Sequence, residues 1–280
     1  MGIPVYFLPM IVEFLILLVA GVLGGLIAGL FGLGGGILFA PVLLFLFQSS
    51  GVPDPVLWTV GTSLLCNFVA SSSSCLKHFQ MGNIHVREGV VTGMFGVAGT
   101  FAGRLIATSP YYSEREFVLF FTLILGYSVY HFLGNGKPRS LETSAGTAPM
   151  RWHHFTLIGL ASGMLATLAG VGGGLIMVPA LTIFLSFGFR KVVSISSLAI
   201  VMITFSGWMQ LALLSPATSG YTGWHIGYID FGAALPLVAG SFYAARRGVR
   251  LLTVIPLRTL EIAFSVILVF VAARLLYGLL

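Results

Sequence analysis

Apolar runs of about a bilayer's length recur from one end of this chain to the other, and most of its charges fall in the short segments between them. One helical crossing takes roughly 20 such residues. With 57% of its 280 residues hydrophobic and only 8% charged, the chain has too few polar groups to clothe a soluble domain of this size. It reads as an all-helical, multi-pass integral membrane protein with no soluble domain hidden in it. The net charge of +6 does not argue for nucleic acid, because the basic residues flank apolar spans, where they set orientation. The start, "MGIPVYFLPMIVEF", lacks the basic region of a cleaved signal peptide, so the first run is expected to be retained. Cys66 and Cys75, nine apart in one run and on different helix faces, are not expected to pair.

One motif occurs twice. "GLGGGILFAP" at 32–41 and "GVGGGLIMVP" at 170–179 lie 138 positions apart, each with three consecutive glycines, four further residues and a proline. Other matches follow in the same order: "TSLL" (62–65) with "SSLA" (196–199), "GNIH" (82–85) with "GYID" (227–230), and "VAGTFAG" (97–103) with "VAGSFYA" (238–244). The architecture is therefore duplicated. "GNGKPRSLETSAGTAPMRWHH" (134–154), rich in Gly, Ser, Thr and charge, reads as an exposed linker. The expected division is 1–134, a linker at 135–151, and 152–280.

Each half carries three ordinary spans, near 58–76, 88–108 and 115–133, then 192–214, 227–245 and 257–277. The glycine motif ahead of them sits in an apolar stretch, 11–48 or 154–187, too long for one crossing and short for two. A hairpin there gives each half an odd number of crossings and inverts the second half; a single long helix leaves the halves parallel. The positive-inside rule decides. With hairpins and a cytoplasmic linker, Lys77, Arg87, Lys137, Arg139, Arg151, Arg190, Lys191, Arg246, Arg247, Arg250 and Arg258 fall inside, and only Arg104, Arg115 and Arg274 outside. The parallel arrangement exports Arg190, Lys191 and the Arg246 cluster while keeping the charge-poor "LSPATSGYTGW" (214–224) inside. The expected fold is thus two inverted repeats in the cytoplasmic membrane, each a glycine-turn broken-helix hairpin plus three transmembrane helices. The linker is then cytoplasmic and both termini are not.

The arms after the glycines, 37–48 and 175–187, reach about 18–20 Å as helix against roughly 30 Å of hydrocarbon, so the turns should lie within the membrane. Irregular backbone at that depth is tolerated only where protein buries it or it lines a wet cavity. Glycine turns expose N–H groups, and the helix that follows adds unpaired donors and its positive dipole end. Two such ends, entering from opposite faces, make an anion site without a buried cation, as in secondary transporters. Close helix packing is the plainer use of small residues. The duplication, with Pro41 and Pro179 each five residues after the last glycine, favours substrate-lining turns at Gly34, Gly35, Gly36, Gly172, Gly173 and Gly174. Neither motif ends in the Gly-Lys-Ser/Thr of a phosphate-binding loop.

These paired glycine-proline segments, the "TSLL" that follows the first, the basic loop ending in "GNI" and the glycine-rich fourth span resemble the TauE/SafE sulfite exporter family in order and over nearly the whole chain. The resemblance implies a membrane protein that moves sulfur-containing anions such as sulfite, sulfoacetate and related organic anions. The expected function is secondary transport, as exporter or gradient-driven carrier, of small sulfur-containing anions or organosulfonates, with a proton or sodium as candidate coupling ion. Other small organic anions, or an auxiliary subunit with no transport of its own, are the alternatives. The halves differ at Thr62-Ser63 against Ser196-Ser197 and at His85 against Asp230.

Thr59, Ser63, Cys66, Asn67 and Ser74 form a polar stripe at near-helical spacing, with Thr62 beside it, that must face other helices rather than lipid. Thr62, Ser63 and Asn67 at mid-span are candidate substrate contacts, with Ser196, Ser197 and Thr204 as counterparts and Gln210 further along; Ser71 to Ser74 serve equally well as interhelical glue. Arg104 and Arg246, at comparable helix ends, are candidate mouth residues, although snorkelling to the interface is the plainer reading. Glu261 is a candidate proton carrier, with pairing to Arg258 the duller alternative. The six histidines show no metal spacing and no cofactor is expected. "GLASG" (159–163) evokes a serine nucleophile at Ser162, but its helix supplies no histidine and the duplication goes unexplained, so a transporter is favoured over an enzyme.

Overall fold

The computed structural model describes residues 7–134, 152–185, 187–216, 221–252, 254 and 257–277. The first half holds α1 (Phe7–Phe31), α2 (Gly36–Ser49), α3 (Pro55–Gln80), α4 (Val86–Ala107) and α5 (Glu114–Gly134). The second holds α6 (Trp152–Ala169), α7 (Gly174–Leu185), α8 (Phe189–Ala212), the strands β1 (His225–Ile226) and β2 (Ile229–Asp230), α9 (Phe231–Leu251) and α10 (Leu257–Tyr277). α1, α3, α4 and α8 are long and apolar enough to cross a bilayer. α1 breaks at the first glycine motif and α6 at the second, as expected, because glycines in left-handed conformations cannot continue a helix. The surface is apolar as well as the core: Leu105, Leu123 and Phe270 are more than 70% exposed, which suits a lipid surround and not water.

Contacts repeat between the halves. α1 lies on α9 and α6 on α4, α3 faces α8 at the centre, and α5 packs on α10. The α1/α9 seam runs parallel and very close: Gly21, Gly25 and Gly29 meet the backbone of Leu237, Ser241 and Ala245 in turn, and a Cβ on Gly25 would lie 2.5 Å from the Ser241 carbonyl oxygen. The α4/α6 seam is built likewise, Gly99 against Leu160 and Gly103 against Met164. Small residues at four-residue spacing let backbones approach where lipid offers helices no hydrophobic drive to associate. α3 and α8 run antiparallel, with Ser74 Oγ 3.2 Å from Ser197 Oγ and the Phe68 and Phe205 rings 5.6 Å apart.

Two segments depart from expectation. The span expected over 227–245 instead begins with the β1/β2 hairpin, His225 pairing with Asp230, and its helix covers 231–251. Gly227, at φ +54°, turns so tightly against the Leu211 and Ala212 carbonyls that any side chain would overlap them, and Trp58 packs edge-on against His225 at 5.1 Å and Tyr228 at 5.4 Å. His153 and His154, read with the linker, belong to the first turn of α6, rings 4.5 Å apart. The linker at 135–151 lies outside the described residues.

Candidate functional site

Both glycine motifs fold into tight turns that meet at the centre of the bundle. Gly32 (φ +61°) and Gly34 (φ +76°) in the first are matched by Gly170 (φ +69°) and Gly172 (φ +76°) in the second. The third positions differ. Gly173 is left-handed at φ +79°, whereas Gly35 sits at φ −85° and caps α2, so the expected need for positive φ holds at Gly173 and not at Gly35. Each following helix starts hard against the opposite turn: a Cβ on Gly36 would lie 2.5 Å from Gly170 O, and one on Gly174 2.5 Å from Leu33 O. The first turn is closed by Gly32 N–H to Ala28 O at 3.0 Å and by Leu38 and Phe39 N–H to Gly35 O at 3.0 and 3.1 Å. The N–H groups of Leu33 to Ile37 take part in none of these bonds, leaving the donor-rich helix start that the sequence led one to expect.

Four of the polar candidates reach the turns. Asn67, wholly buried, donates from Nδ2 to Gly170 O at 2.9 Å, and its Oδ1, without a partner among the described residues, lies 2.9 Å from where a Gly34 Cβ would stand. Ser63 also donates to Gly170 O, at 2.8 Å. Ser196 bonds within its own helix, to Val193 O at 3.1 Å, and abuts Gly32 as Ser63 abuts Gly170. The structural counterpart of Ser196 is thus Ser63, one place on from Thr62, with which the sequence match aligns it. By that register Asn67 corresponds to Ile200, and it is Ile200, with Thr204, that faces Gly172.

Thr62 and Ser197 lie away from the turns. The Thr62 hydroxyl accepts the Asp230 N–H at 3.1 Å, tying α3 to the hairpin, and Ser197 bonds Ser74. Arg104 is half-buried in the last turn of α4, and Arg246 stacks over Phe242, 4.7 Å from its centroid; neither touches a turn. The side chain of Glu261 lies outside the described residues.

Sequence reasoning passed over the structures at the two ends of α3. At its start, Asp230 is wholly buried and accepts from Thr222 N–H and hydroxyl, both at 2.8 Å, and from Ala233 N–H at 3.0 Å. Nearby, burial and a hydrogen bond to the Glu13 carboxylate push the Tyr221 phenol up to about 12. At its end, His78 is buried with Nε2 unpartnered, the His85 N–H donates to Ser194 Oγ at 3.2 Å, and Lys191 pairs with Glu88 at 3.2 Å. Partial burial, then the charge of Lys191, hold the His85 imidazole below its ordinary value. Between α4 and α8, Gln210 donates to Thr100 Oγ1 at 2.7 Å and Ser206 Oγ at 2.9 Å. The mismatch of His85 with Asp230 was the one visible hint of unlike ends. Among the described residues no group of His, Cys, Asp or Glu is arranged to hold a metal ion.

Broken helices whose irregular turns are buried at the centre of a bundle, beneath an apolar perimeter, define a helical membrane protein of the transporter class. Residues 17–275 match the sequence model of the family described as sulfite exporter TauE/SafE, and the chain belongs to that family. It is 28% identical over 260 residues to a probable membrane transporter protein of Methanocaldococcus jannaschii, covering 91% of this chain and 94% of that one. A probable membrane transporter protein of Haemophilus influenzae is 27% identical, covering 93% and 97%, and the probable membrane transporter protein YunE of Bacillus subtilis is 24% identical, covering 95% and 98%. No solved structure matches. The family is one of membrane transporters and not of enzymes, in line with the weighing of Ser162 above.

Proposed function

We propose that this protein is a secondary carrier of small sulfur-containing anions, such as sulfite or organosulfonates, across the cytoplasmic membrane, built from two inverted repeats. The inversion is supported by α3 and α8, corresponding helices of the two halves, running antiparallel past one another. The observation that carries the substrate reading is the meeting of the two turns around Asn67. There, among the described residues, a buried amide keeps one N–H hydrogen and its carbonyl oxygen unspent beside a row of backbone N–H groups, and no cationic side chain bonds it. That set suits a small oxyanion: backbone donors and the free amide hydrogen for the charge, and Oδ1 for a hydroxyl where the anion carries one, as hydrogensulfite does. Gly34 to Gly36, Gly172 to Gly174, Ser63 and Asn67 are its proposed lining, with Ser196 beside it, and Thr62 and Ser197 as its supports. The turns are packed on each other and wholly buried, so transport requires them to part.

The test is uptake into proteoliposomes of purified protein under imposed gradients of sulfite, thiosulfate, sulfate, sulfoacetate and simple carboxylates, with and without proton or sodium gradients. Sulfur oxyanions are expected to move and carboxylates to move poorly. Transport of carboxylates alone would reassign the substrate, and movement of cations alone would end the anion reading.

A further inference from the structure

A cavity of about 640 Å³ lies along the outside of the α1/α9 seam, and its lining shares no residue with either glycine turn. Its α9 residues fall on one face: Gly240, Tyr243, Ala244, Arg247 and Leu251 recur at helical spacing. Gly240 lies hard against the α1 backbone, where a Cβ would stand 2.5 Å from Leu18 O, and the trough beside this contact is walled by Val22 and Leu26 of α1 and by Tyr243, which is 75% exposed. One end of the trough is apolar. The other holds Arg247 and Arg250, both exposed, in the last turn and a half of α9. A helix of 21 residues is about 31 Å long, close to the hydrocarbon thickness, so side chains at its end stand at headgroup depth.

The basic end is peculiar to this half. The contacts of the two seams, Gly21 on Leu237 answering Gly159 on Thr92 and Gly25 on Ser241 answering Gly163 on Gly96, set α9 against α4 one helical turn away from the match of "VAGTFAG" with "VAGSFYA", and the residues corresponding to Arg247 and Arg250 are Ala102 and Leu105. The duplicated turns therefore do not require these arginines. Among the described residues no carboxylate pairs with Arg247. An apolar trough that opens to the bilayer and ends in two cations is complementary to a molecule with a long apolar tail and an anionic head.

We propose that this groove binds an anionic phospholipid, its phosphate between Arg247 and Arg250 and one acyl chain along the trough over Gly240 and Ala244. Arginine near the bilayer surface attracts anionic headgroups, and Arg is suited to phosphate through paired N–H donors. The site is separate from the transport reading and is tested without any transport substrate.

The experiment reconstitutes the full chain into phosphatidylcholine vesicles with traces of spin-labelled phosphatidylglycerol or spin-labelled phosphatidylcholine and measures the immobilised fraction of each. Phosphatidylglycerol is expected to be retained preferentially. Arg247→Gln or Arg250→Gln should weaken that preference about fivefold each and the double variant about thirtyfold, at about 1 kcal/mol per basic residue. Val22→Trp, which fills the trough and keeps both arginines, should abolish retention of the labelled chain. Should the double variant fail to fold, Val22→Trp carries the test. Equal retention of the two lipids, a preference unchanged in the variants, displacement by inorganic phosphate as effective as by phosphatidylglycerol, or burial of the groove by a second copy, read by cross-linking Tyr243→Cys, would each overturn the proposal.

Discussion

The two glycine turns share left-handed glycines at Gly32 and Gly34, matched by Gly170 and Gly172, and differ at Gly35 against Gly173 and in what they face. Gly34 looks onto the Asn67 amide, whereas Gly172 has Ile200 and the Thr204 methyl group nearer to it than Asn67. The bonding differs too: Ser63 and Asn67 of α3 both donate to Gly170 O in the second turn, while Ser196 of α8 donates only within its own helix. Duplication has kept the shape of the site in both halves and its polar chemistry in one. A carrier built this way holds its second turn on α3 and leaves the first less tethered.

The largest effects are expected where a methyl group meets backbone. Gly36→Ala and Gly174→Ala place a Cβ about 2.5 Å from carbonyl oxygens of the opposite turn, which side-chain rotation cannot relieve. Overpacking of this kind costs about 1–3 kcal/mol, and here the upper end is expected, seen as lost yield and a lowered Tm in detergent. Gly173→Ala adds left-handed strain of about 1–2 kcal/mol to an overlap with the Ser162 carbonyl. Gly35→Ala, whose closest overlap is with the buried Phe39 ring, should be milder by the left-handed strain it escapes, about 1–2 kcal/mol, because its φ is ordinary. Equal losses at positions 35 and 173 would erase the backbone half of the comparison. Alanine at 173 thus reports stability rather than binding, and position 35 is the cleaner probe of substrate contact.

Next in size is the contrast between the facing side chains. Asn67→Leu removes the amide at nearly constant volume and should weaken substrate binding by about 1.5–3 kcal/mol, the worth of a hydrogen bond to a charged group. Ile200→Val, at the corresponding place, should cost about 0.5–1.5 kcal/mol of stability and leave affinity unchanged. Loss of affinity in both variants would mean that the site is symmetric after all. Smaller still, Ser63→Ala should cost about 1 kcal/mol of stability, since it strips a donor from a buried carbonyl, and Ser196→Ala close to nothing. Denaturation of the two variants side by side checks this.

Much of this was legible in the sequence because it rests on local rules. Apolar length placed the helices, and three consecutive glycines placed the breaks at Phe31 and Ala169, where the structure has them. The polar stripe was read as facing protein, and Thr59, Ser63, Cys66, Asn67 and Ser74 are all buried. The misses came where a partner distant in sequence decides. Thr62 and Ser63 are neighbours of like chemistry, yet one holds the hairpin and the other the turn, because a helix step of about 100° aims them at different elements. Likewise, the span expected over 227–245 begins at "GYID", although its match "GNIH" stands ahead of the span at 88–108; Trp58 gives His225 and Tyr228 an aromatic surface to fold against, and a hairpin forms there.

The smallest effect comes from the loops that those two tetrapeptides define. His85 closes one end of α3 through Ser194, and Asp230 closes the other through Thr62 and Thr222. The folded state holds the His85 imidazole below its ordinary value, by partial burial first and by Lys191 second, so the unfolded chain binds the proton more readily. Its contribution is therefore complete above the unfolded value of about 6.5 and is lost as pH falls from there through the folded value. The group is more than a third exposed, so solvent screening keeps the loss slight. Thermal unfolding followed as pH is lowered through about 6.5 should show a shallow decline in Tm that flattens in His85→Gln, which keeps the backbone bond to Ser194 and cannot take up the proton. A decline of the same slope in the variant would place the titration elsewhere and remove pH sensitivity from the list of differences between the two ends of α3.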